Sequence, residues 1–202
     1  MQHIRPNAHK QVVTTPARSA TDAEILGRSR VDATAFGELF DRHAVAVHRF
    51  LARRVDPRVA DDLLSEVFLR ALEGRIRVQP HESGSALPWL YGIARNVVRG
   101  HLRSRDRPVV DTEDEHVDWD AVDERLDADA LAPDLRRAMS TLTTLEREVL
   151  LLVSWEQLSI GEAATVLGIT TTAARSRLHR ARARAAVALA AMPNEPHFQE
   201  TP

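Results

Sequence analysis

The side chains best equipped for chemistry in this chain are arginines, gathered in two clusters. Residues 175–184 hold five arginines and one histidine, with no acid among them. A second basic run, Arg95, Asn96, Arg99, Arg103 and Arg105, follows closely on Trp89 and Tyr91. A guanidinium forms planar, bidentate bonds with phosphate oxygens and with the O6 and N7 edge of guanine, and an aromatic ring offers a face on which an unstacked base can lie. Both clusters therefore point to nucleic acid. Catalysis has no such support. The nine histidines are scattered, and neither an HExxH-type metal spacing, a glycine-rich phosphate loop nor a nucleophile motif occurs. His43 and His48, five apart, fall on different faces of a helix and read as structural. With no cysteine, thiolate metal sites and disulfides are excluded. We assign no catalytic residue, metal or cofactor.

The net charge of -2 conceals this basicity. Between Asp111 and Asp129 stand ten acids and one base, Arg125, a local charge of -9; the remaining 26 bases and 19 acids leave +7 elsewhere. The acidic stretch has weak periodicity and few large apolar residues, the composition of a solvated linker. It divides the chain at residues 108–132.

Helices must position the two clusters. The chain is 44% apolar but only 4% aromatic, rich in alanine and poor in β-branched runs, which predicts an all-α protein of two small helical domains joined by the acidic linker. In the first half, Phe36, Leu39, Phe40, Val47, Phe50 and Leu51 form one apolar stripe over about residues 34–54. Asp56 followed by Pro57 opens a second helix, with Val59, Leu63, Leu64, Val67, Phe68, Ala71 and Leu72 inward and Asp61, Asp62 and Glu66 outward, ending near Gly74. A third opens at Pro88 and turns Leu90, Ile93, Ala94, Val97 and Leu102 to the core. Residues 1–30 and 191–202 are polar and unpatterned, so a frayed extension and a flexible tail are expected there.

The second half reads as a helix-turn-helix. Thr143 with Glu146, and Ser159 with Glu162, fit capping boxes. Ala163 and Ala164 are small enough for a close helix crossing, Gly168 suits a left-handed helix end, and Thr170 caps the next helix. This arrangement sets its last helix into a DNA major groove. Ala174, Leu178, Ala181 and Ala185 form the inner stripe. Thr172, Arg175, Ser176, His179 and Arg180 lie on or beside the outer face, where they can reach base edges; Arg182 and Arg184, farther along, suit phosphates.

Taken together, FGELFDRHAVAVHRFL, DDLLSEVFLRAL and PWLYGIARNVVRGHLRSR resemble region two of bacterial RNA polymerase sigma factors, and TLTTLEREVLLLVSWEQLSIGEAATVLGITTTAARSRLHRARARA resembles region four. Two such domains and a short linker are similar to the extracytoplasmic-function (ECF) group. The resemblance implies region two over residues 31–107 and region four over 133–190. It implies core RNA polymerase and promoter DNA as partners, and leaves room for an inhibitory anti-sigma factor. Asp61, Asp62, Leu64, Glu66 and Val67 would dock on the polymerase. Trp89, Arg95, Asn96 and Arg99 would lie along the surface that opens the minus-ten element, with the loop of residues 79–87 forming part of a pocket for a captured base. Thr172, Arg175, Ser176, His179 and Arg180 would read the minus-thirty-five element. Ser65 stands where the family usually has glutamine, and Ala173 and Ala174 replace a common threonine and valine. A regulator using the helix-turn-helix without polymerase would leave the acidic face of the second helix and the surface from residue 89 to 105 idle. No run approaches the ~18 to 20 apolar residues of a membrane span, and the first twenty residues lack the apolar core of a secretory signal, so a cytoplasmic chain without membrane insertion is expected.

Overall fold

The computed structural model describes residues 20–79, 81–105 and 133–191, and the acidic segment lies outside them. Among the described residues there are eight α-helices and no strand, in keeping with the all-α expectation. The first module contains α1 (Asp22–Ser29), a 3-10 turn (Ala33–Phe36), α2 (Gly37–Ala52), α3 (Pro57–Gly74) and α4 (Leu87–Arg105). Its core comes mainly from the expected stripes: Leu39, Val47, Phe50 and Leu51 of α2, Leu63, Val67 and Phe68 of α3, and Leu90, Ala94 and Val97 of α4 are all buried; Val98 joins them, while Phe40, expected inward, is exposed. Each such side chain contributes about 1.5 to 3 kcal/mol relative to exposure. The start of α3 follows its local sequence, with the Asp56 carboxylate accepting the Arg58 N–H at 3.1 Å and Pro57 in the first turn.

Helix α1 departs from expectation, since its residues fall within the stretch expected to fray. Its cause is local and short. Thr21 accepts the Glu24 N–H at 3.2 Å, and Glu24 reaches back to accept the Thr21 N–H at 2.7 Å. Ile25 and Leu26 then enter the core completely, and Ser29 is buried with its hydroxyl donating to the Leu26 carbonyl. Residues 1–19 and 192–202 lie outside the described residues.

The second module contains α5 (Pro133–Ser140), α6 (Thr144–Ser154), α7 (Ile160–Leu167) and α8 (Thr171–Ala190). Both expected capping boxes form: Thr143 with Glu146, and Ser159 with Glu162. Gly168 has a φ of 66°, and its amide and that of Ile169 donate back to the Thr165 and Ala164 carbonyls at 3.2 and 3.0 Å. These two reverse bonds satisfy carbonyls that the end of α7 would otherwise leave open. Ala163 and Ala164 are buried, and so is Ala174 at the start of α8, so the turn is closed by close backbone approach.

The modules do not hang apart. Helix α4 packs directly on α7, and Phe50 and Val98 face Leu152, Val166 and Leu167 across a cavity of only about 20 Å³. That space suits roughly one water.

A β-carbon added at Gly168 would meet nothing within 4 Å, so the cost of Gly168→Ala is conformational alone. We expect this variant to lose about 1 kcal/mol of stability in urea unfolding, with unchanged helix content.

Candidate nucleic-acid interface

The last helix owes its orientation to its two ends. At its start the Thr170 hydroxyl accepts the Ala173 N–H at 3.2 Å, while Ala174, Leu178 and Ala181 are buried against the module. Three- and four-residue steps then leave Thr172, Arg175, Ser176, His179 and Arg180 exposed together. Thr172 and Arg175 stand nearest the helix N-terminus, whose dipole favours an approaching phosphate. Farther along, Arg184 donates to Glu146 of α6 at 2.7 Å, and Arg180 stands 3.7 Å from the same carboxylate. Burial works against ionisation of Glu146, but its bonds from the Thr143 amide and hydroxyl and the nearby Arg184 and Arg180 hold it below the ordinary carboxylate value of 4.5. Its contribution to stability is therefore complete above pH 4.5 and is lost as pH falls through the lower folded value. Of the two arginines assigned to phosphates, Arg184 thus carries an internal bond in this arrangement.

The second cluster lies on α4, where Trp89, Arg95, Asn96 and Arg99 fall within an arc of roughly 120°. Asn96 is exposed, whereas Trp89 is half-buried with its ring 3.6 Å from where a β-carbon on Gly74 would stand. Arg95 is not open to solvent. Its Nε and Nη2 donate to both oxygens of Glu148 on α6 at 2.9 to 3.1 Å, and the two side chains are 12% and 7% exposed. Arg99 lines the small cavity beside them. The second module therefore sits on the face that carries the cluster.

Further contacts across this seam went unread in the sequence. Arg53 Nη1 donates to Glu156 Oε1 at 2.7 Å, and Arg54 Nη1 lies 3.7 Å from the same oxygen. The Tyr91 hydroxyl donates to Glu156 Oε2 at 3.4 Å, and the Ser83 hydroxyl donates to Glu162 at 2.8 Å. Arg54 is buried with its guanidinium 3.6 Å from the Phe50 ring centre. Burial lowers its pKa to about 10 against the pull of Glu156 and Glu148, so it remains charged at neutral pH. Burial, joined by the Glu156 charge and hydrogen bond, pushes the Tyr91 hydroxyl upward. Two adjacent arginines at the end of an apolar stripe were the available signal.

On α3 the acidic face divides. Asp61 and Asp62 are exposed, with Asp61 3.1 Å from His48, and Glu66 pairs with Arg70 one turn on. Leu64 is half-buried. Val67 is fully buried, so its assignment to a docking surface is corrected: four residues after Leu63, it shares the inner face. His43 is structural but more buried than expected, donating from Nε2 to Asp22 at 2.7 Å. Among the described residues no cluster of His, Cys, Asp or Glu could hold a metal ion, and no helix is long and apolar enough to cross a membrane.

A model of sigma-70 region 2 matches residues 39–108, covering α2 to α4, and one of sigma-70 region 4 matches residues 133–184, from α5 into α8. The ECF RNA polymerase sigma factor BldN of Streptomyces coelicolor is 34% identical over 188 residues, which span 89% of this chain and 67% of the relative. The chain belongs to the ECF family of RNA polymerase sigma factors. The sigma factor CarQ of Myxococcus xanthus is 37% identical over 157 residues, 72% of this chain and 84% of its own. A solved structure of CnrH in complex with the cytosolic domain of CnrY is similar with a TM-score of 0.57 and 25% identity, over 84% of this chain and 97% of CnrH. As an ECF sigma factor the protein binds core RNA polymerase, recognises promoter DNA and enables transcription initiation. Sigma factors are regulatory, non-catalytic subunits.

Replacing both seam acids, Glu148→Ala with Glu156→Ala, would leave Arg54 and Arg95 buried without these carboxylates, a loss on the order of 3 to 5 kcal/mol for a broken buried pair. Small-angle scattering should then record a larger radius of gyration as the modules part, with the helical circular dichroism retained.

Proposed function

We propose that the sigma factor divides its work among three faces. The exposed side of α8, with Thr172, Arg175, Ser176, His179 and Arg180, reads the minus-thirty-five element in the major groove. Trp89, Arg95, Asn96 and Arg99 on α4 contact the minus-ten element, and the neighbouring loop helps to hold a base taken out of the stack. Asp61, Asp62, Leu64 and Glu66 on α3 meet core polymerase, with Val67 acting from inside the core to hold that face in place. The observation that carries this reading is the gathering of five base- and phosphate-seeking side chains on the open face of a capped helix-turn-helix.

Region two occupies residues 31–107 and region four 133–190, with the acidic linker of residues 108–132 between them. The protein works in the cytoplasm and catalyses no reaction of its own: binding energy to an unstacked base offsets the few kcal/mol of opening a promoter without nucleotide hydrolysis. Because Arg95 is engaged by Glu148, use of the α4 face requires the second module to move off it. CnrH is seen bound to the cytosolic domain of CnrY, which supports a protein partner for this chain as well, and we read that partner as an anti-sigma factor.

Arg175→Ala should weaken holoenzyme binding at one position of the upstream element by about 1 to 3 kcal/mol, measured by titration against single-base promoter variants. Equal loss on every promoter would make Arg175 a phosphate contact. Asp62→Arg should abolish association with core polymerase in a pull-down while helix content stays unchanged; retained run-off transcription would remove α3 from the docking role.

A further inference from the structure

Helix α1 lies before the region 2 match, which starts at residue 39, yet it holds the chain on both sides of the loop that precedes α4. At the far side of that loop, Asp22 is the anchor. Its Oδ2 accepts the Ala86 N–H at 2.7 Å and the His43 Nε2–H at 2.7 Å, and its Oδ1 accepts from Arg42 Nη1. The carboxylate is 5% exposed. Ala86 immediately precedes α4, so its amide is among the donors that a helix start leaves unsatisfied, and Asp22 itself is the first residue of α1. Two helix N-termini thus converge on one carboxylate, and both dipoles favour its charge. Arg42 adds a bond from Nη2 to the Ala20 carbonyl at 2.7 Å, fixing the entry to α1.

At the near side, Arg30, which ends α1, donates from Nη2 to the Val78 carbonyl at 2.9 Å. Arg75 strengthens that end by donating from Nε to the Ser29 carbonyl at 2.8 Å. Residues 81–85 lie between these anchors and are wound tightly: the Gly84 amide donates to the His81 carbonyl at 2.7 Å, with Gly84 at a φ of 74°. This turn, with Val78 and Ala86 held on either side and Ser83 bonded to Glu162 of the second module at 2.8 Å, takes its position from those supports.

We propose that α1, acting through Asp22 and Arg30, sets the position of residues 81–85 and thereby the selectivity of the sigma factor for the captured base of the minus-ten element. Asp22 and Arg30 are positioning residues; neither touches DNA. This inference rests on the reading of that loop as part of the base pocket.

The test uses the full chain assembled with core polymerase. Run-off transcription is measured on a library randomised through the minus-ten element, and fluorescence is read from promoters carrying 2-aminopurine at the captured position. Arg30→Ala and Asp22→Asn are compared with the loop variants His81→Ala and Ser83→Ala, and Asp22→Ala is added if it folds. Arg30 is exposed, so its replacement tests the anchor without opening the core. We expect Arg30→Ala to keep core association and upstream-element preference while minus-ten preference falls about tenfold, the low end of what one base pair of readout provides. The 2-aminopurine signal should fall in parallel. Asp22→Asn, which keeps an oxygen for the Ala86 amide, should lose less than Asp22→Ala. Unchanged minus-ten preference in Arg30→Ala and Asp22→Asn, with a shift in the loop variants, would overturn the anchoring role and leave the loop reading intact. No shift in either set would overturn both. A uniform loss on all promoters that tracks the melting temperature would reduce α1 to a purely structural element and also overturn the proposal.

Discussion

Two guanidinium groups, Arg54 and Arg95, leave water where the modules meet, and acids from the second module make that tolerable. A charged group moved into a protein interior without a partner costs several kcal/mol, which apolar contact around it does not restore. Glu148 meets Arg95 with both oxygens, and Glu156 serves Arg53, Arg54 and Tyr91 together. Apolar packing of Phe50 and Val98 against Leu152, Val166 and Leu167 gives the seam area but little direction, because a hydrophobic surface tolerates sliding. The bidentate pair fixes the register. The placement that brings Glu148 within reach of Arg95 also keeps Glu156 beside Arg53 and lays the loop tip at Ser83 against the cap acid Glu162.

The features legible in the sequence were local. A capping box spans four residues, a left-handed glycine needs one, and an apolar stripe repeats within two turns, so α3, α6, α7 and the turn at Gly168 follow from short windows. Helix α1 was not legible because its core contribution is a single step, Ile25 and Leu26, inside thirty mostly polar residues without an apolar period. One step is too short to show a helical period, although Thr21 and Glu24 form the same kind of cap as those at Thr143 and Ser159. The seam escaped for the opposite reason. Arg53 and Glu156 are 103 positions apart, and no periodicity connects them.

The candidate surfaces show the same division. Exposure of Thr172, Arg175, Ser176, His179 and Arg180 follows from helical spacing around Ala174, Leu178 and Ala181, so that face was readable. The engagement of Arg184 was not, because Glu146 already had a role as the cap partner of Thr143, and the same oxygen, Oε2, accepts from both. Val67 is a case where helical spacing outranks resemblance. Four residues after Leu63 and one before Phe68 it belongs to the inner stripe, while Asp62 and Glu66 turn outward.

Arg95 meets Glu148 through the same two donors that would clasp a phosphate, so the seam and a DNA strand compete for one fork of hydrogen bonds. If the α4 face engages the minus-ten element, the free energy of separating the modules is subtracted once from the downstream binding energy, and the affinity is scaled by the fraction of molecules already open. A partner that grips the two modules at separated sites removes that penalty without touching DNA, because the second attachment becomes intramolecular once the first is made. Core polymerase meets this requirement if α3 docks at one site and the second module at another. On that reading the minus-ten contact depends on assembly for a thermodynamic reason, because in the isolated chain Arg95 is held by Glu148.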